Sequence, residues 1–330
     1  MNYLNELDSL MKEINFASSK ILRSISSRGY FIILGKYRNL DVVLRTAPIT
    51  DLAKTIRFKR EHEASKILAS FNSNSKISVV NFTKVIDVQE SRSLCWSIRS
   101  YSKDQTLAID ERYLQDELHG YDVIRRKFID NYQPIVENII NTVLSVQKID
   151  GNIIDKDVSN KLFTPRLDRS LEKIDIKKIE RILEIKIKNS IDFYNHNIDE
   201  YCDNCNTCAN MGDLIPPNII VGPDNQITLY DYEWFCLDNY MVDFSSLWLF
   251  LWRYPKWQKA LNSVIITSDK DKKFFRMSLV RELISWFGGA FSINETKKLH
   301  HRVNFYKNHV WSRYLEAAGE SFNTIMKARN

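Results

Sequence analysis

A hairpin pattern in the second half of the chain is flanked by side chains suited to chemistry. Two short β-prone runs, Asn218–Val221 and Gln226–Tyr230, surround the turn-forming residues 222–225. β-Prone arms around residues that tolerate unusual dihedral angles are typical of a β-hairpin. Because the arms are similar in length, the hairpin is expected to bring Asn218 and Asp231 close together at its open end.

Three oxygen-bearing side chains gather at this hairpin. Asp213 lies shortly before Asn218, in a loop stiffened by Pro216 and Pro217, and Asp231 follows the second arm. Two carboxylates and a carboxamide are oxygen ligands or proton acceptors, and hard-cation binding and phosphoryl transfer both need such a set.

These residues resemble the catalytic core of the aminoglycoside phosphotransferase and choline kinase family, small-molecule kinases with a protein-kinase-like fold. The family motif is His-Gly-Asp-Leu-x-x-x-Asn, followed by a hairpin and a second Asp. The matching residues here are Gly212, Asp213, Leu214, Asn218 and Asp231, with Tyr232 and Glu233 completing the second motif. Met211 stands where the family has His. In the family that His supports the geometry of the loop, so this position departs from the pattern.

The resemblance implies a reaction and a role for each of these residues. Asp213 would accept the proton of a substrate hydroxyl, while Asn218 and Asp231 would hold Mg²⁺ against the phosphates of ATP or GTP. Glu233 would assist the metal or the substrate. The implied acceptor is a small molecule: an amino sugar or aminoglycoside, a choline-like alcohol, or a sugar. The alternative is a degenerate kinase that binds nucleotide, or serves as an interaction module, without turnover.

The expected fold is α+β and bilobal. Residues 1–101 would form a nucleotide-binding lobe with a five-stranded antiparallel sheet and one helix. Residues 102–330 would form a mainly helical lobe with the catalytic loop and the substrate-binding helices, because the apolar period changes from 2 to 3.6 near residue 102. The five strands are expected at Ile21–Ser26, Tyr30–Tyr37, Asp41–Thr46, Ile77–Val88 and Ser93–Tyr101, and the resemblance places a phosphate-covering loop at Ser24–Gly29.

The helix expected at Asp51–Phe71 carries a glutamate on its apolar stripe. Glu63 lies one turn before Ile67 and two turns after Ile56, and a buried carboxylate requires a cationic partner. Kinases place a Lys on the third strand for this purpose. The corresponding residue is Arg45, which is not interchangeable with Lys. The pattern thus predicts an Arg45–Glu63 pair; two solvated charges are the alternative.

Two further roles follow from the resemblance. Backbone groups of Arg99, Ser100 and Tyr101 would meet the adenine at the hinge between the lobes. Asp243 would brace the catalytic loop by hydrogen bonds, although an Asp at a helix start is also a normal N-cap.

The second lobe contains long stretches of helical periodicity. The pattern predicts helices over Glu111–Gln147, bent or divided at Pro134, and over Leu171–Tyr201. Two closing helices are expected at Lys270–Phe287 and Glu295–Glu316.

A cluster of three cysteines precedes the catalytic stretch. Cys202, Cys205 and Cys208 have the spacing Cys-x2-Cys-x2-Cys, and Cys236 or Cys95 could add a fourth ligand for zinc or an iron–sulfur cluster. Three reduced thiols in a loop are the alternative, and an interaction protein built on this cluster is a third functional class.

Composition excludes several other classes of protein. The chain has 47 basic and 41 acidic residues, a net charge of +6, and no basic block, so no nucleic-acid partner is expected. The longest apolar run, near Phe244–Trp252, is too short to span a membrane. The amphipathic start, residues 1–14, differs from a signal peptide, and five cysteines fit a cytoplasmic protein with reduced thiols.

Overall fold

The computed structural model describes residues 3–23, 31–74, 80–91, 93–108, 123–154, 175–183 and 187–290. These residues belong to two compact units. The first contains the described residues of Met1–Gln105 together with Ile220–Phe235, and the second those of Thr106–Ile219 and of Cys236–Asn330. None of the described helices combines the length and the apolar character needed to cross a lipid bilayer.

The first unit contains the predicted five-stranded antiparallel sheet, in the order β1-β2-β3-β5-β4. Its elements are α1 (Tyr3–Glu13), β1 (Ala17–Arg23), β2 (Phe31–Tyr37), β3 (Leu40–Pro48), α2 (Leu52–Asn74), β4 (Val85–Ser91) and β5 (Leu94–Ser100), followed by the two-residue strand β6 (Gln105–Thr106) at the end of the unit. The α+β fold class predicted from the sequence is confirmed.

Side-chain alternation gives the sheet two covered faces. On one face Leu44, Trp96 and Ile98 pack in one apolar cluster with Leu7 and Leu10 of α1. The opposite face carries Ala47 and Cys95, which pack against Phe58 of α2. Because successive strand residues point to opposite faces, Arg45 lies on the same face of β3 as Ala47, and Arg99 lies on the same face of β5 as Cys95.

Two tight turns have the backbone conformation that their residues favour. Arg38 and Asn39, between β2 and β3, both have positive φ, at 50° and 65°. This is the type I′ geometry that matches the twist of a two-residue hairpin. Asp224 and Asn225 have φ of 53° and 59°, and the N–H of Gly222 donates to the carbonyl of Gln226 at 2.8 Å.

That second turn joins β8 (Ile219–Val221) to β9 (Ile227–Leu229), which is the hairpin predicted from the sequence. Residues 220–235 pack with the first unit, although they follow the catalytic loop in the chain. The parallel bridge between Phe82 and Leu229 and the hydrogen bond from the N–H of Thr83 to the carbonyl of Leu229 attach the hairpin to the segment before β4.

The buried stripe of α2 differs from the predicted one. The side chains of Leu52 and Ile56 are 70% and 48% exposed, and the buried residues are Thr55, Phe58, Glu61, Ala64, Ser65 and Leu68. Glu63 follows Ile56 by two turns and shares its exposed face. The prediction that Glu63 lies on the inward stripe is therefore wrong, because it took two exposed apolar residues as the inward reference.

Several strand boundaries differ from the predicted ones, and some predictions fall outside the described residues. β4 begins at Val85, eight residues later than predicted, while β1 begins at Ala17. The phosphate-covering loop predicted at Ser24–Gly29 and the closing helix at Glu295–Glu316 lie outside the described residues.

The described part of the second unit is mainly helical. Its helices are α3 (Arg126–Ile129), α4 (Tyr132–Val146), α5 (Ile176–Leu183), α6 (Lys188–His196), α7 (Ile198–Tyr201), α8 (Val242–Phe250), α9 (Pro255–Ile265) and α10 (Asp269–Ala290). Pro134 lies in the first turn of α4 rather than at a bend, a position where proline leaves no helical hydrogen bond unmade. The strands β7 (Thr207–Asn210) and β10 (Cys236–Asn239) pair antiparallel on either side of the catalytic stretch in sequence.

Candidate active site

Arg45 is the central cation of the first unit. Its guanidinium is almost fully buried, with Nη1 2.7 Å from Oε2 of Glu61 and 3.5 Å from Oδ1 of Asp231, and Nη2 3.6 Å from Oε2 of Glu233. Burial alone would lower the pKa of Arg45, but these three carboxylates outweigh it and raise the pKa above its ordinary value. Arg45 therefore remains a buried cation among carboxylates.

Glu61, not Glu63, is the partner of Arg45. The Glu61 side chain is 1% exposed, whereas the Glu63 side chain is 65% exposed and pairs with Lys66 on the surface of α2. The helix turns 200° between the two positions, so only one of them can face the sheet. The predicted Arg45–Glu63 pair is thus corrected to Arg45–Glu61.

Glu61 also binds a second buried arginine. Nη1 of Arg99 lies 2.9 Å from Oε1 of Glu61, so the carboxylate bridges two guanidinium groups. Two cations around one carboxylate compensate a charge that would otherwise be costly to bury.

Glu233 lies between two arginines near the end of the hairpin segment. Arg57 of α2 donates to its Oε1 at 3.1 Å, and Arg45 approaches its other oxygen. Burial, followed by the nearby Asp231 carboxylate, raises the pKa of Glu233 to about 7, against Arg45 and Arg57, which lower it. Glu233 is consequently an acid whose charge depends strongly on its neighbours.

Asp231 has an unusual backbone conformation. Its φ of 57° lies in the left-handed region, which costs a residue other than glycine about 1 kcal/mol. Its Oδ1 is buried and accepts no hydrogen bond from the described residues. This oxygen faces Nη1 of Arg45 at 3.5 Å, which is beyond good hydrogen-bonding distance, so the carboxylate keeps the capacity to meet a second cation.

The loop that carries Asp213, in the second unit, begins with a backbone anchor. Oδ2 and Oδ1 of Asp243 accept hydrogen bonds from the N–H groups of Met211 and Gly212, at 2.7 and 2.9 Å. Asp243 is fully buried in α8, whose N-cap is Met241. Its carboxylate therefore braces the loop, and the alternative of a simple N-cap does not describe it.

The anchor does not involve the side chain at position 211. Both hydrogen bonds come from the backbone, so they do not depend on the side chain of Met211, which is buried. Gly212 has a φ of 75°, a conformation that only glycine adopts without strain. Burial raises the pKa of Asp243 to about 7, although the two backbone N–H groups favour its anion.

Asn218 holds the carboxylate of Asp213 within the same loop. Its Nδ2 donates to the main-chain carbonyl of Asp213 at 2.9 Å and to Oδ2 at 3.2 Å. Since the amide nitrogen is used in this way, the amide oxygen of Asn218 is the atom that can meet a cation. Asp213 is half-buried, which leaves its carboxylate partly accessible to a substrate.

Each unit thus offers oxygen ligands of the type that Mg²⁺ prefers, a carboxylate at Asp231 and a carboxamide at Asn218. Mg²⁺ binds few protein oxygens and takes phosphate and water for the remainder. Each of these two side chains is therefore chemically suited to the ion that the resemblance implies.

The backbone at the end of β5 is where the resemblance places the adenine contacts. The N–H of Ser100 donates to the carbonyl of Lys84 at 2.9 Å, and the N–H of Tyr101 donates to that of Asp41 at 3.1 Å. These two N–H groups are hydrogen-bonded to main-chain carbonyls, and the adenine contact of residues 99–101 stays a prediction. The side chain of Arg99 contacts Glu61 and Tyr230.

The cysteine cluster has no metal geometry in the described part of the chain. No three His, Cys, Asp or Glu side chains lie together there in a way that could hold a metal ion. Cys202 and Cys205 are exposed, while Cys208 is half-buried and Cys236 is buried. The zinc site stays a prediction that this geometry does not support.

Three residues that contact Arg45, Glu233 or Arg99 were not predicted from the sequence: Glu61, Arg57 and Tyr230. A signal for Glu61 was present, because Phe58, Glu61, Ser65 and Leu68 recur at helical spacing. Tyr230 and Arg57 gave no such signal, since their partners lie far away in the sequence.

Comparison with known proteins identifies the fold. No family model and no curated protein matches the sequence. Aminoglycoside phosphotransferase APH(4)-Ia, as a thermostable mutant in a ternary complex with ADP and hygromycin B, aligns over 95% of this chain and 99% of its own, with a TM-score of 0.60 and 10% identity.

Two other solved structures are similar. Amicoumacin kinase hAmiN, in complex with AMP-PNP, Ca²⁺ and Ami, aligns over 94% of this chain and 94% of its own, with a TM-score of 0.60 and 8% identity. Choline kinase LicA from Streptococcus pneumoniae aligns over 97% of this chain and 100% of its own, with a TM-score of 0.54 and 13% identity. The chain therefore has the protein-kinase-like fold of small-molecule phosphotransferases such as these.

Proposed function

We propose that the protein transfers the γ-phosphate of ATP or GTP to a hydroxyl group of a small molecule, with Mg²⁺, in the cytoplasm. The observation that carries the proposal is the catalytic loop, in which Asn218 holds the carboxylate of Asp213 and Asp243 anchors the backbone before it. Phosphoryl transfer requires alignment and charge neutralisation rather than covalent participation by the protein. A carboxylate fixed at both ends of its loop supplies that alignment.

In this proposal Asp213 accepts the proton of the attacking hydroxyl and orients its oxygen. Asn218, through its amide oxygen, and Asp231 hold the Mg²⁺, which neutralises charge on the nucleotide phosphates. Glu233 assists at the metal or the substrate. Because Asn218 binds Asp213 through its nitrogen, one residue serves both the base and the metal.

Arg45 takes the place of the usual lysine. A guanidinium can bind a carboxylate and a phosphate oxygen through different N–H groups. In the proposed enzyme Nη1 remains with Glu61, and Nη2 meets the phosphate when the nucleotide displaces its longer contact with Glu233.

The proposed acceptor is an amino sugar, a choline-like alcohol or a sugar. The proteins of similar fold include a complex with the aminoglycoside hygromycin B and a choline kinase. These ligands share a hydroxyl group and a nitrogen-bearing group, so amine-bearing alcohols come first in a screen.

The test is a coupled assay of ATP and GTP consumption with Mg²⁺ over amino sugars, choline-like alcohols, sugars and nucleosides. Acceptor-dependent turnover is expected, and Asp213→Asn should lower kcat at least about 100-fold. Asp224→Asn, which makes the same change at an exposed turn, should leave the rate unchanged. Turnover that is equal in both variants would refute the role of Asp213.

A degenerate kinase is the second candidate, and one observation favours it. All three carboxylates near Arg45 approach its guanidinium, so the cation can serve the fold rather than a phosphate. Calorimetry separates the two: Mg-nucleotide binding without turnover over the whole screen supports a nucleotide-binding module. No binding at all contradicts the enzyme and leaves only an interaction module.

A further inference from the structure

Tyr230 and Tyr232 flank Asp231 in the sequence, and the hydroxyl of each makes a hydrogen bond within the first unit. Nη2 of Arg99 donates to the Tyr230 hydroxyl at 2.6 Å, and the Tyr232 hydroxyl donates to the carbonyl of Thr83. Tyr232 is fully buried and meets Phe82 edge-on. The residues on both sides of Asp231 are therefore held by hydrogen bonds to the body of the unit.

Arg99 makes more contacts in this arrangement than a simple ion pair needs. Its side chain is 2% exposed, and its guanidinium carbon lies 4.0 Å from the centre of the Tyr230 ring. One nitrogen binds Glu61, the partner of Arg45, and another binds the Tyr230 hydroxyl. Arg99 thus joins the Arg45–Glu61 pair to the residue that precedes Asp231.

The contacts form a closed ring. It runs from Arg45 to Glu61, on to Arg99 and Tyr230, along the backbone to Asp231, and back to Arg45 at 3.5 Å. A left-handed conformation at a residue other than glycine persists only where its surroundings enforce it. The ring provides that enforcement for Asp231.

We infer that Arg99 and Tyr230 are positioning residues, which hold Asp231 in the orientation that binds a divalent cation and link it to the Arg45–Glu61 pair. The consequence for the cation rests on the proposed function. The consequence for the backbone of residues 229–235 does not, because it follows from the contacts alone.

Tyr230→Phe tests the inference with the least change, since it removes one hydroxyl and keeps the aromatic side chain. Its matched control is Tyr240→Phe in the second unit, which removes a hydroxyl that donates to Asp271 at 2.7 Å. Arg99→Met is the stronger variant, and Tyr230→Phe keeps the test valid if Arg99→Met does not fold.

The first measurement is amide hydrogen exchange of the peptide 229–235 without nucleotide. The N–H groups of Leu229 and Phe235 are hydrogen-bonded at 2.8 and 3.1 Å, so they report on the segment. Tyr230→Phe should accelerate their exchange about tenfold, and Tyr240→Phe should not. Exchange that is equal in Tyr230→Phe and the wild type overturns the inference.

The second measurement is the affinity for Mg²⁺ in the presence of a non-hydrolysable ATP analogue. The Kd should rise roughly tenfold in Tyr230→Phe, the cost of losing a hydrogen bond to a charged group, and remain unchanged in Tyr240→Phe. If Mg²⁺ binds the variant and the wild type equally well, the positioning role is overturned. If exchange accelerates but the wild type binds no Mg-nucleotide, the proposed function fails while the role of the ring in holding the segment is supported.

Discussion

Arg45 and Glu61 form a buried ion pair at 2.7 Å, with the guanidinium supplied by β3 and the carboxylate by α2. Removing one partner of such a pair leaves the other charge buried without compensation, which is far more costly than losing an exposed pair. If Glu61 were removed, Arg45 would keep only its longer contacts with Asp231 and Glu233, at 3.5 and 3.6 Å.

Glu61→Gln should therefore lower the free energy of unfolding by about 3 kcal/mol. Glu63→Gln makes the same chemical change two residues later, where the side chain is exposed, and should cost less than about 0.5 kcal/mol. Urea unfolding of both variants measures the difference. Equal losses would mean that the pair contributes no more than a surface charge.

This comparison also shows what the sequence could and could not predict about α2. The existence of the helix was predictable from its periodicity, but the sequence offered two competing phases, one through Leu52 and Ile56 and one through Phe58 and Leu68. Leu52 and Ile56 are apolar and exposed, while Glu61 and Ser65 are polar and buried. The partners that make these polar residues stable inside lie on other elements, and single-sequence periodicity contains no information about them.

Asn218→Ala should affect the reaction twice, because the amide nitrogen holds Asp213 and the oxygen is proposed to meet Mg²⁺. We expect kcat to fall at least about 100-fold and the Mg²⁺ concentration for half-maximal rate to rise. Asn152→Ala removes an exposed carboxamide of the same unit and should change neither value. Steady-state kinetics over a Mg²⁺ titration separates the two effects, and an unchanged Mg²⁺ requirement in Asn218→Ala would contradict the metal role.

Asp243 should make stability depend on pH in a predictable direction. Burial raises its pKa in the folded protein to about 7, from the ordinary value of 3.8. The folded state therefore binds more protons than the unfolded state between these values, so this contribution is fully present below pH 3.8 and is lost as the pH rises through 7. Between pH 6 and pH 8 the loss should be about 1 kcal/mol.

Asp243→Asn removes that titration. The difference in unfolding free energy between wild type and variant should change by this amount between the two pH values, as measured by urea unfolding at each. A constant difference would mean that burial does not raise the pKa. The same variant should also slow turnover. The side chain of Asn has one acceptor oxygen, so its NH2 group would face the N–H of either Met211 or Gly212, and one of the two hydrogen bonds would be lost.

The cysteines should differ by their burial rather than act as a metal cluster. Cys202→Ser and Cys205→Ser change exposed side chains and should each alter stability by less than about 0.5 kcal/mol. Cys236→Ser places a hydroxyl in a buried position and should cost about 1 to 3 kcal/mol. Thermal unfolding together with metal analysis of the reduced protein checks this, and stoichiometric zinc lost in Cys202→Ser would restore the metal hypothesis.

The candidate site was predictable where it follows from local spacing and not where it depends on distant contacts. The loop at Asp213 and Asn218 and the hairpin before Asp231 follow from turn residues and short β-prone runs close together in the chain. The hydrogen bond from the backbone of Met211 to the side chain of Asp243 joins residues 32 positions apart in the sequence. Arg99 and Tyr230 are 131 positions apart. The brace from Asp243 was expected from the family resemblance alone, and only the folded structure reveals the pair of Arg99 and Tyr230.

The division of the chain has a consequence for folding during synthesis. The first unit is interrupted: its sheet is complete by residue 105, yet residues 220–235 also belong to it. A ribosome adds about 5–20 residues per second, so the sheet emerges roughly ten seconds before the segment that carries Tyr230 and Asp231. During that interval Arg45 lacks Asp231 and Glu233, and Arg99 lacks Tyr230. The nascent first unit is therefore expected to stay a loose intermediate until residue 235 arrives.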